Sequence, residues 1–499
     1  MRVEDTACME STFFAERYAM KTKTRYQGRF VLAALAFALG SSFSGISYPT
    51  AHAASQAAAN ANELKNMQLV GFDDLQGRSA YQPTIHRYAD GRYIAFIGHH
   101  GGTSPTLGGS NGTSIVDVTN PAQPKYLFHI PGGAGSGEAG GAQMVRVCDG
   151  LANTTGAGKV WMLRATSTSH ELYDVTNPAA PGTAIPVAGP FPATHKNEWE
   201  CSTGIAYLVS AVPGWRTSRV TQVFDLSNPT NPRFIRNFDL VGQQPGATGP
   251  FPPQGPHGCI SRPEANRVYC GHGTSSDGVV VILDREKLLN GDPNSSDPFA
   301  PTPENLAYPV IAQQNTPVFM GAHTTLPQLD FTVPEFAKDA NLQVRDFIVM
   351  VNEAGGNECQ GATRQLMYIL DITDELNPFA VASYQVPEAS GNFCSRGGRF
   401  GSHASNENVD SPFNKKIVFV SWFNAGVRAI DIREPYSPKE VGYFIPTTNS
   451  NTFANGGKFV IQTNNVEVDD RGYIYIVDRA GSGMHILRLT GDAAQIIAQ

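Results

Sequence analysis

Strand-length apolar runs, broken by short polar turns, recur along this chain, and they are organised by a phrase that returns. Ile115-Val116-Asp117-Val118-Thr119-Asn120-Pro121 comes back as Leu172-Tyr173-Asp174-Val175-Thr176-Asn177-Pro178, then as Val223-Phe224-Asp225-Leu226-Ser227-Asn228-Pro229. Weaker copies are Ile369-Leu370-Asp371-Ile372-Thr373, with Asn377-Pro378 displaced by an insertion, and Ala429-Ile430-Asp431-Ile432-Arg433. Each copy predicts an apolar strand ending at one Asp, followed by a turn that Asn-Pro punctuates. Because the Asp recurs from copy to copy, it reads as a turn carboxylate that accepts backbone amides, not as a catalytic acid.

Another apolar run precedes each phrase and another follows it. Tyr93–Gly98 and Lys125–Ile130 flank the first copy, Ile205–Val209 and Arg233–Phe238 the third, Lys416–Val420 and Val441–Ile445 the last. A further, inner segment opens each unit. Four short antiparallel strands per repeat predict an all-β fold, a seven-bladed β-propeller. The second strands of the seven units centre near Ile94, Trp161, Tyr207, Val268, Ile348, Val418 and Ile474. The last unit lacks an outer strand, and Met67–Asp73 offers a spare one. This segment is expected to pair with the last blade and close the ring, hiding edges that would otherwise template aggregation. The alternative is an eight-bladed or open array. The largest loops are expected at Gly291–Ala312 and Gln328–Asn341, and the Gly-rich runs Gly98–Gly112 and Gly132–Gly141 also read as loops.

Composition fits this picture. Of 499 residues only 16% are charged, while 50 are Gly and 34 Pro, so turns are frequent and long helices scarce. The first 53 residues read as a secretory signal peptide: Lys21, Lys23, Arg25 and Arg29, the apolar Phe30–Leu39, then Ala51-His52-Ala53 as a cleavage signal. Met20 is an alternative start. Residues 54–64 read as a linker, 65–490 as the propeller and 491–499 as a tail. Removing residues 1–53 takes away six basic and four acidic residues, which leaves 31 and 40 and a net charge of −9. That argues against a nucleic-acid partner and, with no membrane-length apolar run left, for an exported periplasmic or extracellular protein. Six cysteines then remain. Cys259–Cys270 is the favoured disulfide, because Arg262–Asn266 reads as the turn of a hairpin. Cys148–Cys201 and Cys359–Cys394 are pairings by proximity in sequence.

A second pattern is carried by histidines near the predicted starts of inner strands: His86, His195, His257, His323 and His403. Gln143 and Asn464-Asn465 take the comparable place in two units. If inner strands line a central channel, these imidazoles converge at one mouth. Such a cluster suits a transition metal, Zn, Cu or Fe, with open positions for Lewis-acid or redox chemistry. Glu353, ending the second strand of the His323 unit, and Glu198, three residues after His195, are candidate ligands or orienting groups. The alternative is that each His bonds backbone beside a wet channel mouth. His99, His100 and His272 read as exposed loop residues, and His129, His170 and His485 as packing or surface residues. Trp199, Trp215, Trp422, Phe251 and Phe423 read as core or as a ligand platform on one face. No nucleophile elbow, zincin helix or phosphate loop is read.

The repeated phrase resembles the LVIVD-repeat proteins, a family of exported bacterial and archaeal propellers, over roughly residues 65–490. The resemblance implies architecture and export and carries no catalytic residue. Pro256-His257-Gly258 is also similar to inner-strand elements of propeller enzymes with axial metal-binding histidines, such as methanethiol oxidase and carotenoid oxygenases, by architecture alone. Two functions follow as expectations. One is a binding or scaffolding module that engages a protein or polymer through blade loops. The other is a metal-dependent enzyme, an oxidoreductase or hydrolase, built on the histidines.

Overall fold

The computed structural model describes residues 62–273, 277–333, 344–355, 363–455 and 457–498. The expectations for the signal segment, for most of the linker and for residues 334–341 fall outside them. The described chain is all-β in character. It forms five four-stranded sheets, one eight-stranded sheet and a small two-stranded ribbon, and no sheet closes on itself among the described residues.

Seven strand quartets follow one another in sequence. Sheet A contains Ala80–Arg87, Tyr93–Gly101, Gly112–Asp117 and Lys125–Pro131. Sheet B contains Gly137–Asp149, Val160–Thr166, His170–Asp174 and Ile185–Ala188. Sheet C contains Thr194–Trp199, Ile205–Ser210, Val220–Asp225 and Arg233–Phe238. Sheet D contains Pro256–Arg262, Arg267–His272, Val279–Asp284 and Val310–Asn315. Sheet E contains Thr324–Thr332, Val344–Val351, Met367–Asp371 and Phe379–Tyr384. Sheets F and G each borrow a strand from the N-terminal end. Glu63–Lys65 pairs with Lys439–Ile445 in sheet F, beside Ile417–Ser421 and Val427–Asp431. Met67–Asp73 pairs with Met484–Leu489 in sheet G, beside Ile474–Asp478 and Thr463–Val468. The second pairing was expected from the sequence. The first was not: the end of the expected linker is a strand. The expected tail is a helix, Gly491–Ala498, that buries Ala493 and Ile496.

The repeated phrase has a physical account. Its Asp accepts the amide two residues on: Thr119 N to Asp117 Oδ1 at 2.9 Å, Thr176 N to Asp174 at 3.0 Å, Ser227 N to Asp225 at 2.9 Å and Thr373 N to Asp371 at 2.9 Å. The apolar residue between donates its own amide to the preceding strand, as Val118 N does to Tyr93 O at 2.9 Å and Val175 N to Val160 O at 2.8 Å. Its side chain is buried in every copy. The Asn of Asn-Pro then caps a second turn, from Asn120, Asn177 and Asn228 to the amide two residues ahead, each at 3.2 Å. The phrase is therefore a strand end, a hydrophobic plug and two consecutive Asx turns.

Apolar clusters join each sheet to the next: A to B, B to C, C to D, D to E, E to F and F to G. A further cluster joins sheet G back to sheet A through Tyr475, Val477, Met484 and Ile486 against Tyr93, Ala95, Ile97 and Val116. Middle strands are thus covered on both faces. This is why Val279–Leu283 reads as a continuous apolar run and not as an alternation.

Sheets A and B are fused, with His99–Gly101 paired to Gly137–Ala142. This corrects the reading of the Gly-rich runs as loops for Gly98–Gly101 and Gly137–Gly141, which are strand, while the stretches between the strands, 102–111 and 132–136, are loops as expected. The backbones approach so closely that a Cβ at Gly98 would lie 1.9 Å from Gln143 O, so only glycine permits the seam. Cys148–Cys201 ties sheet B to sheet C, and Cys259–Cys270 bridges directly opposed residues of one hairpin. Cys394 is also disulfide-bonded, while its expected partner, Cys359, lies outside the described residues. No helix among the described residues is long and apolar enough to cross a membrane.

Candidate metal centre

His195, His257 and His323 stand at or just before the starts of the first strands of sheets C, D and E, whereas His403, expected at the start of an inner strand, lies outside any strand in the segment before Ile417–Ser421. His195 Nε2 and His257 Nε2 are 2.6 Å apart. The His257 and His323 rings lie 3.5 Å between centroids, tilted by 31°, and His323 and His403 lie 4.5 Å apart. His403 donates through Nδ1 to Asn464 O at 2.6 Å, and Asn464 Nδ2 donates to Tyr81 O at 3.2 Å, which carries the contact through sheet G to sheet A. All four imidazoles are buried.

Backbone bonds place these rings. His323 N donates to Val351 O at 2.9 Å, and His403 N to Ser421 O at 3.0 Å. Glu353 follows directly on the second strand of sheet E, held there by the buried Asn352, whose Nδ2 donates to Gly321 O at 2.6 Å. His257, His323 and Glu353 each offer a ligand atom within 4.8 Å of the others, a spacing that can hold a metal ion. His403 Nε2 stands 3.8 Å from Glu353 Oε1.

Burial holds the pKa values of His195, His257, His323 and His403 well below the usual imidazole value, so the neutral, ligand-competent form dominates near pH 7. Hydrogen bonding also selects the free nitrogen. His403 is committed through Nδ1 to a backbone carbonyl, and His323 through Nδ1 to Thr324 Oγ1 at 2.9 Å, which leaves Nε2 of each facing inward. His323 Nε2 and His257 Nδ1 are buried without a hydrogen-bond partner. In a protein interior such atoms need a reason. The donor set of imidazoles and one carboxylate fits a transition metal.

The structure separates two of the residues expected here. His86 stands near the far end of the strand Ala80–Arg87, with Nε2 3.1 Å from Asp149 Oδ1. The residue that enters the cluster from sheet A is Tyr81, whose hydroxyl is 3.4 Å from His195 Nε2. A signal for it existed. Ala80-Tyr81 repeats the small-residue–ring pattern of Thr194-His195, Ala322-His323 and Ser402-His403, whereas His86 matched residue type alone. Glu198 also leaves the cluster, accepting from Arg146 Nε at 3.0 Å. Arg146 and Lys196 both pair with Glu407. These ion pairs border a separate cavity of about 620 Å³, lined in part by Arg146, Glu198, Glu407 and Glu467.

Sequence reasoning missed Glu138, whose carboxylate is 3.2 Å from His100 Nε2 and 3.7 Å from His195 Nδ1. Burial opposes its charge, but His100, His195 and Arg479 facing it hold its pKa well below the usual range. The reading of His99, His100 and His272 as exposed loop residues is corrected: all three are buried at strand ends, His99 against Ser114, His100 beside Glu138 and His272 beside Asp239. Trp199, Trp422 and Phe423 are buried, while Trp215 is half-buried and Phe251 exposed, so the five aromatics do not form one exposed platform. Gly108-Gly109-Ser110-Asn111-Gly112 has the spacing of a nucleophile elbow but not its context, since it lies in a loop between two strands with no helix after it.

A cavity of about 220 Å³ adjoins the imidazoles, with Tyr81, Glu138, Arg219, Glu353 and Arg399 among its walls. No protein-family model matches the chain, and no curated protein matches it in sequence.

Proposed function

We propose that this chain is an exported metalloprotein, a closed seven-bladed propeller of the LVIVD-repeat kind that holds one transition-metal ion at its hub. The observation that carries the reading is the convergence of His195, His257, His323 and His403 near Glu353, with His257 Nδ1 and His323 Nε2 buried without hydrogen-bond partners. Zn, Cu and Fe all accept such a donor set. When bound, the ion supplies Lewis-acid or redox chemistry. The chain's own groups position and enclose: Tyr81 and Glu138 stand beside His195, Arg399 bonds Glu353 at 3.2 Å, and the adjoining cavity admits a small molecule. This makes a metal-dependent enzyme the better of the two expectations.

Ring closure is supported by the apolar clusters that run from sheet to sheet and from the last to the first, and by the N-terminal strand within sheet G. Export is supported by the disulfides and by the signal-like N-terminal segment. The binding-module reading keeps one observation of its own. Leu107, Phe251, Val318 and Phe319 are exposed in loops at the strand ends where the histidines lie, an apolar rim for a protein or polymer partner.

The test is metal content. Untagged protein reconstituted separately with Zn, Cu and Fe is expected to retain close to one equivalent of one of them after dialysis, by elemental analysis. His257→Ala/His323→Ala is expected to retain none while keeping its β-rich circular dichroism. Wild-type protein that holds no metal under these conditions removes the proposal.

A further inference from the structure

His195 stands among the imidazoles but outside the group that can share an ion. Among the described residues that group is His257, His323 and Glu353, whose ligand atoms lie within 4.8 Å of one another. His195 touches His257 instead, Nε2 to Nε2 at 2.6 Å. Burial keeps both rings neutral, so this contact has one donor and one acceptor, and its direction sets the tautomer of each ring. If His195 donates, the proton of His257 sits on Nδ1, which is buried without a partner. That direction strands a buried N–H and offers no lone pair to a metal. If His257 donates, its Nδ1 carries a lone pair, the form in which a neutral imidazole binds a metal.

The groups facing His195 favour the second direction. Glu138 Oε2 is 3.7 Å from His195 Nδ1, too far for a hydrogen bond, yet a full negative charge at that distance favours the N–H on its side of the ring. Glu138 is ionised, since Arg479 Nη2 donates to its Oε1 at 2.8 Å and His100 Nε2 stands 3.2 Å from the same atom. On the other side of the ring, the Tyr81 hydroxyl is 3.4 Å from Nε2 and can donate to it. Arg219 and Lys196 also act on His195, and their positive charge opposes a second proton on the ring. We propose that Glu138 is a positioning residue of the metal centre: through His195 it holds His257 as the Nε2–H tautomer and so presents His257 Nδ1 to the ion. The inference rests on the metal-centre reading for its purpose. The pattern of protons does not depend on a metal.

The experiment reads the ring protons by 15N NMR on metal-free protein with labelled histidines, the signals assigned by their loss in His195→Ala and His257→Ala. Wild-type protein is expected to show His195 as the Nδ1–H tautomer, which free histidine in water does not favour, and His257 as the Nε2–H tautomer. Either ring in the opposite form overturns the proposal. Glu138→Gln, which removes the charge at little change of shape, is expected to shift His257 toward Nδ1–H. The same variant is expected to weaken binding of whichever ion the wild type retains, Zn, Cu or Fe, at least tenfold in competition with a chelator. Glu138→Asp keeps the charge and is expected to fall between the two. Unchanged tautomers in Glu138→Gln overturn the proposal. If Glu138→Gln fails to fold, the two wild-type tautomers still decide. Wild-type protein that holds no metal sinks the metal centre, while the tautomers of the metal-free protein are judged by themselves.

Discussion

His485 stands between Phe72 and Phe444, with ring centroids 4.9 and 6.1 Å away, on the last strand of sheet G. Burial alone pulls its pKa down to about 4. In the unfolded chain it titrates near 6.5, so between pH 6.5 and 4 the unfolded state binds more protons than the folded one. Stability is therefore fully present above that window and is lost as pH falls through it. The slope is about 1.4 kcal/mol per pH unit for each such group. His485→Leu keeps the apolar contact and removes the proton. The stability lost between pH 7 and pH 5, measured by urea unfolding, is expected to shrink by roughly 1–2 kcal/mol in this variant. An unchanged loss would show that His485 is not titrating in a dry site. The Asp residues of the repeated phrase were legible for the opposite reason. Their partners lie two residues away, so sequence alone names both ends of the bond.

At the scale of elements, the N-terminal segment does more than complete one sheet. Glu63–Lys65 caps sheet F and Met67–Asp73 caps sheet G, with Met67 buried in the apolar cluster between them. Asn66, at the break, donates through Nδ2 to Val441 O at 2.8 Å. Deleting residues 62–73 exposes two strand edges at once. The deletion is expected to lower the melting temperature by more than ten degrees and to promote aggregation. A melting curve that overlays the wild type would remove the claim that these strands hold the ends together. Sheet strands and their order were readable because apolar runs and turn residues act over a few positions. The fused seam of sheets A and B was not, since glycine marks loops and close backbone approach alike, and only the partner at Gln143 distinguishes them.

At the scale of the whole molecule, Cys148–Cys201 is a covalent tie between two neighbouring sheets, with a sequence separation of 53. Loop-closure entropy gives such a link about 4 kcal/mol, whereas Cys259–Cys270 closes a hairpin that the strand pairing already holds. Cys148→Ser/Cys201→Ser is expected to destabilise by up to that amount, read as a lower urea midpoint, and Cys259→Ser/Cys270→Ser by less. Equal effects would contradict the entropic account. The packing that brings these sheets side by side is also what gathers the histidines. His195 and His257 are 62 positions apart, yet their Nε2 atoms stand at hydrogen-bond distance.

From sequence alone, most of the strands, their turns, the likeness between units, the Cys259–Cys270 pair within its hairpin and the pairing of Met67–Asp73 with the last strand were determined, because each depends on local periodicity, on turn chemistry or on a repeat that can be compared with itself. Tertiary structure alone decided which residues meet in the histidine cluster. A histidine and a tyrosine at the start of a strand look alike only once the strand's register is known. Glu138, Arg219, Arg399 and Arg479 come from loops and strand ends that no repeat marks. Their meeting depends on how sheets pack, and that is a property of contacts between residues far apart in the chain.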